Sequence, residues 1–303
     1  MDADTNILQR MTSNELVSMA VALDIPLTQR SIIRDELVDR IASELEKTEK
    51  KGLKPLTSPA IRIENMTKRF GPKVAVRDLN LKVNPGEIVG LVGPNGAGKT
   101  TTLRVLTGII RPTSGSVHVN GHDMCKKPIP GKRVLGYIPE RPTCYPSLKV
   151  REYLTFMARI YGVSKVNTIL RIREQIDLFH LNEFVDSYIG TLSKGNLQRA
   201  LLAGIFIRDP PYILAFDEPI YGLDPRGAWN LKSLLKRLKK EGSAILVSTH
   251  ILEVAESLCD RFIIMNHGNV VGRGTLSKLS SLFDKATTLE EIFLMLTGGI
   301  PQT

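Results

Sequence analysis

Apolar residues recur along this 303-residue chain in distinct rhythms. From residue 12 to 46 the period is helical. Thr12-Ser13-Asn14-Glu15 has the spacing of a capping box, and Leu16, Met19, Ala20 and Leu23 follow as one apolar stripe. Asp24-Ile25-Pro26 stops that helix, because proline removes a donor and clashes with the preceding turn. Leu37, Val38, Ile41 and Leu45 line a second helix. Between Glu46 and Pro59 the period is lost among lysines, Gly52, Pro55 and Pro59. The pattern therefore predicts a small helical extension at 1–50, a linker at 51–60 and a main body at 61–303.

In the main body, short strands replace the helical stripe. Ile61–Glu64 and Leu79–Val83 alternate like exposed antiparallel strands, and Asn84-Pro85-Gly86 reads as a turn. Ile88–Val92, Tyr212–Phe216 and Ala244–Ser248 are unbroken apolar runs, as expected of strands buried on both faces. Arg261–Met265 reads as a further strand. A helix is expected from about Thr100, and residues 150–208 read as largely helical. Strand–helix alternation predicts an α/β fold around a mostly parallel sheet.

Composition narrows the class without choosing a function. Hydrophobic residues are 42% of the chain, enough for a packed core. No apolar run approaches the roughly 20 residues of a bilayer-spanning helix. The N-terminal Met-Asp-Ala-Asp has neither the basic nor the apolar region of a secretory signal, so none is expected. Cys125, Cys144 and Cys259 are scattered, which fits a reducing compartment better than a disulfide framework or zinc site. Net charge is +10, but residues 1–50 carry ten acids against six bases. The main body is thus strongly basic and suited to an anionic partner: nucleotide, nucleic acid or lipid surface.

Three motifs carry chemistry. Gly93-Pro94-Asn95-Gly96-Ala97-Gly98-Lys99-Thr100 matches the phosphate-binding loop G-x-x-x-x-G-K-[S/T] and lies between a buried strand and a helix. Glycines let its backbone approach phosphate oxygens, and N–H groups at the helix start act as anion donors. Lys99 supplies a charge for the β- and γ-phosphates, and the Thr100 hydroxyl is a candidate Mg²⁺ ligand. Asp217-Glu218 ends a buried strand, where an acid faces the ligand crevice of a parallel sheet. There Asp217 would hold Mg²⁺ through water, and Glu218 would orient or deprotonate the attacking water. His250 follows another buried strand and is expected to point at the same crevice.

These residues resemble the ATP-binding subunit of an ATP-binding-cassette (ABC) transporter, with motifs in the family's order across residues 61–300. Phe70 resembles the aromatic that stacks on adenine. Gly93–Thr100, with the adjoining Thr101, resembles the Walker A loop. Tyr137-Ile138-Pro139-Glu140 is similar to the Q-loop, and Leu192-Ser193-Lys194-Gly195-Asn196 to the LSGGQ signature. Asp217-Glu218 resembles Walker B with its catalytic glutamate, Tyr221–Asp224 the D-loop, and His250 the switch histidine. The chain departs from the pattern at Glu140, where Gln is common, at Lys194 and Asn196 in the signature, and at Ile220-Tyr221 before Gly-Leu-Asp. Glu140 adds a charge near the metal position, and Ile220-Tyr221 bears on communication across the dimer.

The resemblance implies a P-loop NTPase core with a mostly parallel sheet, an antiparallel β subdomain and a helical subdomain. It further implies an active ATPase using ATP and Mg²⁺, with Thr100, Asp217 and Glu140 toward the metal, and Glu218 and His250 catalytic. The family works as homodimers or heterodimers whose signature positions, here Ser193, Gly195 and Asn196, meet the nucleotide of the opposite subunit. Residues after Glu140 and the stretch Thr288–Gly298 look like the drug, sodium or polysaccharide export branch, where the permease is often a separate chain. That implies a protein peripheral to the inner face of the cell membrane, without a span of its own. Residues 12–46 resemble a SAP or Rho N-terminal helical module; their net acidity does not favour nucleic-acid binding. The alternative function is a soluble ABC-type ATPase acting on nucleic acid or ribosomes through that module.

Overall fold

The computed structural model describes residues 8–12, 16–17, 19–20, 37–41, 43, 55–141, 144–208, 213–283 and 288–298. In chain order its named elements are β1 (Ile61–Phe70), β2 (Lys73–Val83), β3 (Glu87–Val92), α1 (Lys99–Leu106), β4 (Ser114–Val119), β5 (His122–Asp123), α2 (Pro128–Val134) and β6 (Leu135–Ile138). Then come α3 (Val150–Tyr161), α4 (Lys165–Leu178), α5 (Lys194–Ile205), β7 (Ile213–Asp217), α6 (Pro225–Lys240), β8 (Ala244–Thr249), α7 (Leu252–Leu258), β9 (Arg261–Asn266), β10 (Asn269–Gly274), α8 (Leu276–Ser280) and α9 (Leu289–Thr297). The chain divides into two compact units, Met1–Lys54 with Thr143–Pro210 and Pro55–Pro142 with Pro211–Thr303.

In the second unit, the apolar runs form the middle of a six-stranded sheet of order β10-β9-β3-β8-β7-β6. β3 pairs in parallel with β8 and β9, and β7 with β8 and β6; only β10 runs antiparallel. Both faces of β3, β7 and β8 are covered, which explains why their sequences do not alternate. The registers Val92↔Thr249, Asp217↔Ser248 and Ile138↔Phe216 bring the carboxyl ends of four strands level. The residues that follow those ends therefore emerge along one edge of the sheet.

A four-stranded antiparallel sheet of order β2-β1-β4-β5 accompanies it in the same unit. Here β1 and β2 extend well beyond the predicted Ile61–Glu64 and Leu79–Val83, reaching a Gly71-Pro72 turn. Register shifts near Met66 and Lys68, with left-handed Asn65 and Asp78, break the two-residue alternation that would have revealed the extensions. Val89, Leu91, Leu103, Leu106, Ala215 and Leu246 lie in one fully buried core cluster.

The first unit is helical. Ser164 and Ser193 cap α4 and α5, each hydroxyl accepting the N–H three residues on. Gly162 ends α3 in the left-handed conformation. Tyr153 of α3 sits against Gly204 of α5 so closely that a Cβ there would lie 2.6 Å from the Tyr153 hydroxyl. Leu8, Met11, Leu16, Met19, Ala20, Leu37, Val38 and Ile41 share a buried cluster with Leu170 of α4, flanked by Ile169. The apolar stripes read from the N-terminal sequence are thus buried where they are described. Leu23, Leu45 and the Asp24-Ile25-Pro26 stop lie outside the described residues.

Candidate nucleotide site

Gly93 follows β3 directly, and the loop to α1 depends on backbone that only glycine provides easily. Gly93 and Gly98 have φ of 155° and 108°, and a Cβ on them would lie 2.2 Å from the Met265 carbonyl oxygen and 2.6 Å from that of Ala75. Helix α1 begins at Lys99, one residue before the expected start, with no acidic residue in its first turn. Its first-turn N–H groups therefore face the loop with no carboxylate of the same turn to accept them.

The Lys99 ammonium is almost fully buried. It donates to the carbonyls of Gly93 at 2.7 Å and Pro94 at 3.2 Å and lies 3.6 Å from Glu218 Oε1. Burial pulls its pKa below the usual lysine value, opposed by the charge of Glu218 beside it. A desolvated cation held by weak carbonyl acceptors is poised to exchange them for an anion.

Asp217 ends β7 and lies opposite Ser248 of β8, whose hydroxyl donates to Asp217 Oδ1. The Thr100 hydroxyl acts on the Asp217 carboxylate as a further influence that favours its ionised form. Burial raises the Asp217 pKa, and the two hydroxyls oppose that shift. Glu218 turns the chain out of the strand with a left-handed φ of 52°, its N–H donating to the Ser248 carbonyl at 3.0 Å. Its Oε1 lies 2.8 Å from His250 Nδ1. Asp217 Oδ2 and Glu218 Oε2 are buried and lack a hydrogen-bond partner among the described residues.

The orphaned Asp217 oxygen and the Thr100 hydroxyl are hard oxygen donors, which fit Mg²⁺. Among the described residues no trio of His, Cys, Asp or Glu groups as a cation site.

A cleft of about 720 Å³ opens over the loop, lined by Phe70, Asn95, Gly96, Ala97, Gly98, Lys99, Thr100, Thr101, Glu140 and Glu218, and by Lys73, Val74, Ala75 and His267. Its size and the exposed aromatic in its lining suit a nucleotide. Phe70 is 49% exposed, with the Lys68 ammonium 4.9 Å from its ring centre. Glu140 follows β6 and faces this cleft exposed. Ser193, Gly195 and Asn196 belong to the helical unit, where Ser193 is exposed at the start of α5. Sequence reasoning missed Lys73, His267 and Ser248. His267-Gly268 carried a turn signal, but Ser248 acquires meaning only from its register opposite Asp217.

The strand-end carboxylates, the glycine loop with its buried lysine and the parallel sheet define a P-loop nucleoside-triphosphatase. The comparisons make the class more specific. The family model for "ABC transporter" matches residues 76–221. The ABC-type transporter ATP-binding protein EcsA of Bacillus subtilis is 35% identical over 237 residues, covering 78% of this chain and 95% of that protein. The Nod factor export ATP-binding protein I of Burkholderia lata is 35% identical over 214 residues, 71% of this chain and 70% of that protein. A solved ATP-binding subunit of an ABC transporter superposes with a TM-score of 0.74 at 33% identity, covering 78% of this chain and 99% of that one. A dimeric ABC cassette in a post-hydrolysis state with ADP and Pi gives a TM-score of 0.65 at 26% identity, over 71% and 98% of the two chains. This chain belongs to the ATP-binding subunits of ABC transporters and is an ABC-type ATPase. No helix among its described residues is long and apolar enough to cross a membrane.

Proposed function

We propose that this chain hydrolyses ATP to drive export of a substrate through a separate membrane-embedded permease, at the inner face of the cell membrane. The observation carrying this reading is the convergence of Lys99, Asp217, Glu218 and His250 on one glycine loop, with two buried carboxylate oxygens unpartnered among the described residues. Phe70 stacks on the base. The backbone from Gly93 to Thr101 and the Lys99 ammonium hold the phosphates. Thr100, Asp217 and Glu140 hold Mg²⁺, which neutralises phosphate charge when bound. Glu218 orients the attacking water and accepts its proton, and His250 steadies the Glu218 carboxylate.

Two ATPase subunits pair, each offering Ser193, Gly195 and Asn196 to the other's nucleotide, in a homodimer or with a related chain. The dimeric relatives support this pairing. Residues 1–50 act as a helical extension, whose described apolar residues pack with Leu170 of α4, and residues 61–303 act as the ATP-binding domain. The branch resemblance and the Nod factor export relative support the export direction.

The test is affinity purification of the tagged full chain from membranes. Recovery of a multi-span membrane protein, with ATPase activity rising in the complex, is the expected result. Recovery of ribosomes or nucleic acid without a membrane protein overturns the transport reading.

A further inference from the structure

We propose that Tyr221 is a positioning residue for hydrolysis, acting through His250. The inference rests on the roles given above to Glu218 and His250 and adds a residue that they do not include. After Glu218, a tight turn is closed by the Tyr221 N–H donating to the Glu218 carbonyl at 3.2 Å and the Leu223 N–H to the Ile220 carbonyl at 3.2 Å. Ile220 is 9% exposed and anchors this turn in the core, while left-handed Gly222 lets the chain leave it. The backbone thus fixes where Tyr221 starts. The residue is 52% exposed, yet its ring lies 5.7 Å from the His250 ring with the planes inclined at 57°.

That distance is an aromatic contact of useful strength, and its direction matters. His250 Nδ1 is committed to Glu218 Oε1 at 2.8 Å, but about a third of the imidazole is exposed. An imidazole that exposed can rotate away and exchange the carboxylate for water. A tyrosine ring against it restricts that rotation and keeps Nδ1 aimed at Glu218. Leu223 and Asp224 complete the D-loop motif, so the ring stands where the sequence departs from the family pattern. The turn, the ring and the histidine form one continuous support for the carboxylate that lies 3.6 Å from the Lys99 ammonium.

Replacing Tyr221 by Ala in the full chain removes the ring and leaves the nucleotide-lined cleft unchanged. The expected result is a loss of about 3- to 10-fold in kcat, the range an aromatic pair supplies, with KM for ATP unchanged. Tyr221→Phe, which keeps the ring, restores kcat. In a His250→Ala background, Tyr221→Ala adds no further loss, because the residue through which it acts is gone. Wild-type kcat in Tyr221→Ala, or an equal additional loss on top of His250→Ala, overturns the inference while leaving the Glu218–His250 assignment standing. Wild-type turnover in His250→Ala alone removes both the histidine's role and this one. A rise in KM that Phe fails to reverse also counts against it, since it marks a disturbed binding site.

Discussion

Glu218→Gln isolates charge from shape. Glutamine keeps the side-chain length and an oxygen that accepts at the 2.8 Å contact with His250, so the left-handed turn and the cleft persist. What disappears is the proton acceptor. A positioned general base contributes about 10²–10⁴-fold. Glu218 is almost fully buried, so bulk water substitutes for it poorly, and a loss of about 10³-fold or more is expected, equal to about 4 kcal/mol of barrier. Binding moves the other way. At 3.6 Å and an effective dielectric near 20, Lys99 and Glu218 attract by about 4–5 kcal/mol before desolvation is counted. Loss of that competitor leaves the Lys99 ammonium freer for phosphate, so ATP binds at least as tightly as to wild type. Phosphate release under single turnover, a fluorescent-ATP titration and size-exclusion chromatography with Mg-ATP read the three quantities. The expected set is slow hydrolysis, undiminished affinity and an ATP-dependent dimer. Turnover within about 3-fold of wild type, or affinity lost in parallel with rate, refutes the reasoning.

Other outcomes follow from the same geometry. Gly96→Ala meets no atom within 4 Å and bears only a left-handed backbone cost of about 1–2 kcal/mol. Gly98→Ala adds a backbone collision at 2.6 Å, so thermal unfolding with and without Mg-ATP should lose the nucleotide-induced shift in that variant alone; equal behaviour of the two sinks the loop argument. Because burial raises the Asp217 pKa, its ionisation opposes folding: that stability is intact below the unfolded carboxylate range and declines as pH rises toward the folded value. Asp217→Asn should therefore have a higher Tm than wild type at neutral pH, a gap that closes in acid, while hydrolysis is lost; a lower neutral Tm contradicts this. Leu170→Ala should cost about 2–4 kcal/mol and speed proteolysis before residue 41, since one cluster holds both segments; an unchanged cleavage rate would separate the extension from α4.

The glycine loop was legible in the chain because its chemistry is local: φ values, donors and charge all lie within eight consecutive residues, Gly93–Thr100. The buried strands were legible for a related reason. Burial on both faces removes polar residues from β3, β7 and β8, and their helical neighbours restore them. Less visible were β4, β6 and β10, and the outer halves of β1 and β2. In β4, β10 and the outer halves of β1 and β2, exposed faces and bulges mix polar and apolar residues without a clean period, and β6 is only four residues long.

What the amino-acid order determined alone was the phosphate loop, the class of fold and the identity of the acids and histidine at the ends of strands. Only the tertiary structure decided which of these meet. The parallel register places Asp217 opposite Ser248, brings His250 to Glu218, and leaves two buried carboxylate oxygens without a partner among the described residues. It also joined the N-terminal apolar stripes to Leu170 and set Tyr221 against His250. Residues more than a hundred positions apart, such as Lys99 and Glu218, cannot signal their contact through local periodicity. Their distance is set by how neighbouring strands align, and that alignment comes from packing a whole sheet at once.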